Sequence, residues 1–126
     1  MVGLVVVSHS ERAAEGIVEV AAEMASDASI EAVGGDGAGG IGTVPDDIEA
    51  ALSAADDGDG VVVLVDLGSA VMNTEIAVET SPVEAVVADA PVLEGAVNAA
   101  VAATAADATR ESVREQAEAA RDVGKL

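Results

Sequence analysis

Two stretches of the chain, Val2 to Val7 and Val61 to Val65, are almost unbroken apolar runs, the pattern of strands covered on both faces inside a parallel sheet. They are read as central strands. Shorter runs at Ser29 to Val33 and Val83 to Ala88 supply two more. Between the runs, apolar positions recur at helical spacing. Ala14, Ile17, Val18, Ala21 and Met24 form one stripe of a helix that Ser10 caps. Pro45 stands near the start of a second helix, with Asp46 and Asp47 in its first turn, where the helix dipole favours acids. A third helix begins around Ser69 or Ala70. Asp89 and Pro91 mark the start of a fourth that continues through Val97 and Val101, and Thr109 opens the last, which ends near Gly124.

Strands and helices therefore alternate. Parallel neighbours are joined by right-handed crossovers that need a covering helix, so the pattern predicts an α/β fold: a doubly wound, mainly parallel sheet with helices on both faces. The 126 residues suit a single domain, 1–126, of a size that buries roughly two-thirds of its unfolded surface. With no aromatic residue among them, the core is built from Val, Ala, Leu, Ile and three Met. Gly34 to Gly42 reads as a flexible docking loop within the domain, with no linker or repeat elsewhere.

Composition removes several kinds of chemistry. Cysteine is absent, which excludes disulfides, thiolate metal sites and cysteine nucleophiles, and one histidine gives few ways to build a zinc site. No metal or cofactor is predicted. The net charge of -19 argues against nucleic acid as a partner. Glu11, Glu15, Glu19 and Glu23 repeat every four residues with no lysine to offset them, a repulsive arrangement that concentrated salt screens; a salt-loving host is inferred. No apolar run approaches the roughly 18 residues of a membrane span, and the start MVGLVVVSHS lacks the basic region of a signal peptide. A cytoplasmic protein that contacts no membrane is expected.

In an open parallel sheet, ligands bind outside the carboxyl ends of the strands. His9 lies just beyond the first strand, Asp66 closes the third, and the Gly34 to Thr43 loop follows the second. If the first and third strands are neighbours, His9 and Asp66 approach across one edge. A carboxylate that fixes one imidazole nitrogen leaves the other as a lone-pair nucleophile. The backbone N–H groups of Gly68 and Ser69, at a helix start, are placed to hold phosphoryl oxygens without any lysine. The glycine loop contains two overlapping G-x-G-x-x-G spacings, Gly35/Gly37/Gly40 and Gly37/Gly39/Gly42. It follows the second strand and opens no helix directly, so it reads as composition and not as a dinucleotide site. No P-loop occurs, and a Ser8 or Ser69 hydrolase lacks the G-x-S-x-G elbow.

Four segments carry a resemblance: Val5 to Ser10 followed by Glu15-Gly16; Gly40-Ile41-Gly42-Thr43; Val65 to Ala70; and Ala90 to Ala96. Together they resemble the phosphotransferase subunits of dihydroxyacetone kinase, the DhaM group of the mannose-type EIIA family of the phosphotransferase system. The resemblance implies that His9 is phosphorylated on Nε2 with Asp66 orienting the ring, and that Gly42, Thr43, Gly68 and Ser69 bind the phosphoryl group. It implies phospho-HPr as donor and, as acceptor, a DhaL subunit whose bound ADP becomes ATP and phosphorylates dihydroxyacetone held by DhaK. The chain itself would carry no nucleotide, and family members are typically homodimers. Sugar-transport EIIA subunits usually carry a Thr-His-Gly segment, where this chain has Ser8-His9-Ser10. The sugar-transport subunit, a regulatory phosphate-sensing or docking module, and a nucleotide-binding domain using the glycine loop are the competing readings.

Overall fold

A computed structural model describes residues 1–126. The order along the chain is β1 (Gly3–Ser8), α1 (Glu11–Met24), β2 (Ile30–Gly34), α2 (Pro45–Ala55), β3 (Val61–Val65), α3 (Gly68–Thr80), β4 (Ala85–Val87), α4 (Val92–Ala103) and α5 (Arg110–Ala119). All strand pairs are parallel, in the spatial order β2-β1-β3-β4. The chain thus reverses its direction of winding between β1 and β3, the place where open α/β sheets form their clefts.

The period of two along each strand divides the interior. Leu4, Val6, Val62 and Leu64 point to one face and pack on Ala14, Ala21, Ala96, Ala100, Val113 and Ala117 of α1, α4 and α5. Val5, Val7, Val61, Val63 and Val65 point to the other and pack on Ile48, Leu52, Ala55, Ala70 and Ala77 of α2 and α3. Both faces of the central strands are therefore buried, which is why they read as unbroken apolar runs. Alanine on the helices lets them lie close to the valine-rich sheet. One close approach is at Gly95 of α4, where a Cβ would stand 2.9 Å from the Cβ of Ala90 and 3.1 Å from Cδ1 of Leu64.

Several boundaries differ from expectation, with β1 and β2 each displaced one residue toward the C-terminus. Strand β4 holds only Ala85–Val87, because the Val83 N–H turns back to the Ser81 hydroxyl at 3.1 Å and does not extend the ladder. Helix α3 starts at Gly68, a residue earlier than expected. The last helix ends at Ala119 and tightens into a single 3-10 turn, Ala120–Asp122, short of Gly124. Ser10 caps α1 by accepting from the Ala13 N–H at 3.2 Å, and Thr109 and Ser112 form a reciprocal capping box on α5. Helix α3 has no side-chain cap at all. No helix is long and apolar enough to cross a membrane.

Candidate active site at the carboxyl end of the sheet

The register between β1 and β3 sets the geometry. Val7 is paired with Val65, so Ser8, the last residue of β1, and Asp66, the first beyond β3, stand side by side. The Asp66 carboxylate then collects four donors. Its Oδ2 accepts from the Ser8 hydroxyl and from the His9 backbone N–H, both at 2.9 Å. Its Oδ1 accepts from the Leu67 N–H at 2.7 Å and from His9 Nδ1 at 3.0 Å. Burial by itself would raise this carboxyl. The backbone N–H of His9 outweighs that together with the His9 ring, the Ser8 hydroxyl and the Leu67 N–H, and the group is held below its ordinary value.

An ionised carboxylate can only accept. His9 Nδ1 must therefore carry a proton, so that in the neutral ring the lone pair sits on Nε2, which is turned outward. Nε2 lies 2.5 Å from the Ser69 hydroxyl, which donates to it in that form of the ring. The His9 and Asp66 side chains each keep 19% of their surface exposed. The imidazole is thus fixed from behind and open in front.

The glycine loop is tied to the same residue. The Gly42 N–H donates to the His9 carbonyl at 2.9 Å, so this N–H is already used and is not free for a phosphoryl oxygen as the sequence reading had it. The Thr43 hydroxyl accepts from the Asn73 side-chain amide at 2.6 Å, linking the loop to α3. At the start of α3, by contrast, Gly68 and Ser69 occupy the first two helical positions, whose N–H groups have no intrahelical acceptor. These open donors belong to the same turn as the Ser69 hydroxyl that meets Nε2.

Within the loop, Asp36 Oδ1 accepts from the N–H groups of Ala38 and Gly40, both at 2.8 Å. Those bonds hold the Asp36 carboxyl below its ordinary value. They also close the loop on itself and occupy amides that a dinucleotide site would turn toward a pyrophosphate. The segment read as flexible is folded around one carboxylate.

Sequence reasoning brought His9, Asp66, Gly68 and Ser69 to one place. It missed Ser8 as a donor to Asp66, Asn73 as the strut under Thr43, and Asp36 as the loop's organiser. Ser8 carried a signal: a hydroxyl ending an otherwise apolar central strand. Asp36 carried another, an Asp four residues before a glycine in a turn-rich segment. Nothing local to Asn73 pointed across to Thr43.

A family model named EIIA-man, described as PTS system fructose IIA component, matches residues 3–114. The chain is 42% identical over 94 residues to "PEP-dependent dihydroxyacetone kinase 1, phosphoryl donor subunit DhaM" of Listeria innocua, covering 75% of each chain. It is 37% identical over 116 residues to "PTS-dependent dihydroxyacetone kinase, phosphotransferase subunit DhaM" of Lactococcus lactis, covering 92% of this chain and 93% of that one. Among solved structures, the crystal structure of a protein of unknown function matches it with a TM-score of 0.83 at 29% identity, covering 100% of this chain and 98% of the other.

Proposed function

The chain belongs to the EIIA-man family and groups with its DhaM members, and from that premise we propose that it is the phosphoryl donor subunit of a phosphoenolpyruvate-dependent dihydroxyacetone kinase. In this reading His9 takes a phosphoryl group from phospho-HPr and passes it to the ADP held by DhaL, which acts with DhaK. The observation that carries the reading is the division of labour on one imidazole. Nδ1 is bound to Asp66, while Nε2 faces outward beside Ser69 and the uncapped start of α3.

The chemistry follows from that arrangement. The Nε2 lone pair bonds to phosphorus as the bond from phosphorus to the donor's nitrogen breaks, and the electron pair leaves with the donor's ring. His9 gains a positive charge on attack, and Asp66 at 3.0 Å from Nδ1 stabilises it. The Ser69 hydroxyl, which donates to Nε2 before transfer, turns its proton to a phosphoryl oxygen afterwards. The Gly68 and Ser69 N–H groups hold the remaining oxygens, and the α3 dipole favours their negative charge. Gly42 and Thr43 act at one remove, fixing the backbone of His9 and the approach of the loop. The second transfer runs the same step outward, forming a bond from phosphorus to the terminal oxygen of ADP as the bond to Nε2 breaks. A loose phosphoryl transition state asks mainly for such positioning.

The reading includes a homodimer, for which the exposed apolar side chains Val20, Met24, Leu93 and Val123 on the α1/α4/α5 side offer a surface. Sedimentation equilibrium tests it. The functional test is labelling from phosphoenolpyruvate through enzyme I and HPr. His9→Gln abolishes the acid-labile label, and wild type added to the two other kinase subunits yields dihydroxyacetone phosphate. A fully labelled His9→Gln chain removes the site; a labelled wild type that never supports product formation removes the kinase assignment and leaves the sugar-transport or sensing readings.

A further inference from the structure

In a chain carrying a net charge of -19, the placement of bare apolar side chains is informative. Leu67, Met72 and Ile76 are 64%, 66% and 48% exposed. Ser69, Met72 and Ile76 are spaced three and four apart, so they form a single stripe along the outer side of α3. That stripe begins at the hydroxyl resting on His9 Nε2. The opposite side of the helix is also apolar or occupied inward, with Ala70, Thr74 and Ala77 buried against the sheet. Packing within the molecule therefore gives no reason for Met72 and Ile76 to be apolar. Exposed Glu75 and Glu79 alternate with the stripe.

We infer that Leu67, Met72 and Ile76 are the docking face for the phosphohistidine-bearing donor protein, which meets them with an apolar patch bordered by lysine or arginine. The inference rests on the reading that His9 carries the phosphoryl group. In-line transfer requires the donor's nitrogen to stand opposite Nε2 across the phosphorus, so the donor's surface must cover whatever adjoins Nε2. Met72 and Ile76 lie about one and two helical turns, roughly 5 and 10 Å, beyond Ser69. Glu75 and Glu79 set the sign of the border, since like charges opposite them would oppose association. A second copy of this chain is a poor occupant: it would bring the same acids face to face and bury both imidazoles. Methionine, unbranched and adaptable, suits a face that must later accommodate the acceptor as well.

The test separates docking from chemistry. Met72→Glu/Ile76→Glu, both at exposed helical positions, is compared with wild type using two donors: phospho-HPr and the small phosphoryl donor phosphoramidate, which needs no docking face. The double variant is expected to label from phosphoramidate at the wild-type rate. With phospho-HPr its KM rises at least tenfold and its kcat changes little, while Val101→Glu on α4 leaves both unchanged. An unaltered KM for phospho-HPr overturns the inference. A double variant that turns a wild-type dimer into monomers in sedimentation also overturns it, by giving the face to a second copy. Absence of His9 labelling by either donor in wild type defeats instead the underlying phosphocarrier reading.

Discussion

Two loops of this molecule are built the same way and sit at opposite ends of the sheet. In one, Asp36 Oδ1 accepts from the N–H groups two and four residues on, Ala38 and Gly40. In the other, Asp56 Oδ1 accepts from Gly58 at 3.0 Å and Gly60 at 3.1 Å, again two and four residues on. Both are glycine-rich and acidic. The first follows β2 and hands its Gly42 N–H to the carbonyl of His9. The second precedes β3, and its Gly60 carbonyl accepts from the Gly3 N–H while Asp57 and Asp59 pair with the amino terminus. The same local chemistry thus serves chemistry at one end and anchorage at the other. What separates them is the polarity of the parallel strands, which brings helix N-termini and loops such as that of His9 to the carboxyl end only.

The comparison is sharpened most by Asp66→Asn at one end against Asp59→Asn at the other. The first keeps its shape but loses the charge that fixes the Nδ1–H tautomer and balances the attacked ring. Phosphoryl transfer is expected to fall about 10²–10⁴-fold in stopped-flow assays, while Asp59→Asn transfers at the wild-type rate. Equal rates in the two variants would erase the distinction between the ends.

Next in size are two glycines hemmed in by backbone. A Cβ on Gly34 would stand 2.4 Å from the carbonyl oxygen of Ser8, and one on Gly3 would stand 2.2 Å from that of Ala55. Either alanine forces a shift and is expected to cost about 1–3 kcal/mol in urea unfolding. Only Gly34→Ala moves the Ser8-His9 segment, so only it also slows transfer. A smaller contrast comes from Asp36→Ala and Asp56→Ala. Each lowers the melting temperature slightly, but only the first loosens the loop on the His9 carbonyl, reducing transfer by roughly tenfold or less.

The smallest effect is in acid. Because the Asp66 carboxyl is held below its ordinary 3.8 in the folded chain, the unfolded chain binds more protons there. Its stabilisation is complete above that pH and is lost as pH falls through the lower folded value. Urea midpoints measured downward from neutral pH should therefore decline less steeply in Asp66→Asn than in wild type.

Much of this was legible along the chain. Unbroken valine runs announced strands buried on both faces, Ser10 and Thr109 announced helix starts, and the place of His9 and Asp66 after two such runs put both at one rim. The glycine loop was legible as a loop and misread as flexible, because a carboxylate that closes on its own backbone looks in sequence like any acidic turn. The start of β4 was placed too early, since Val83 suits a strand and the competing bond to the Ser81 hydroxyl removes it.

Sequence alone determined which residues face inward, because burial follows the period of apolar positions, and it determined that a single imidazole was available for chemistry. Tertiary structure decided what that imidazole does with each nitrogen. The pairing of Val7 with Val65 brings Asp66 to Nδ1, α3 brings Ser69 to Nε2, and Asn73 joins α3 to the glycine loop at Thr43. Those contacts join residues 30 to 60 positions apart, and no local pattern encodes a hydrogen bond whose partners meet only when the sheet is assembled.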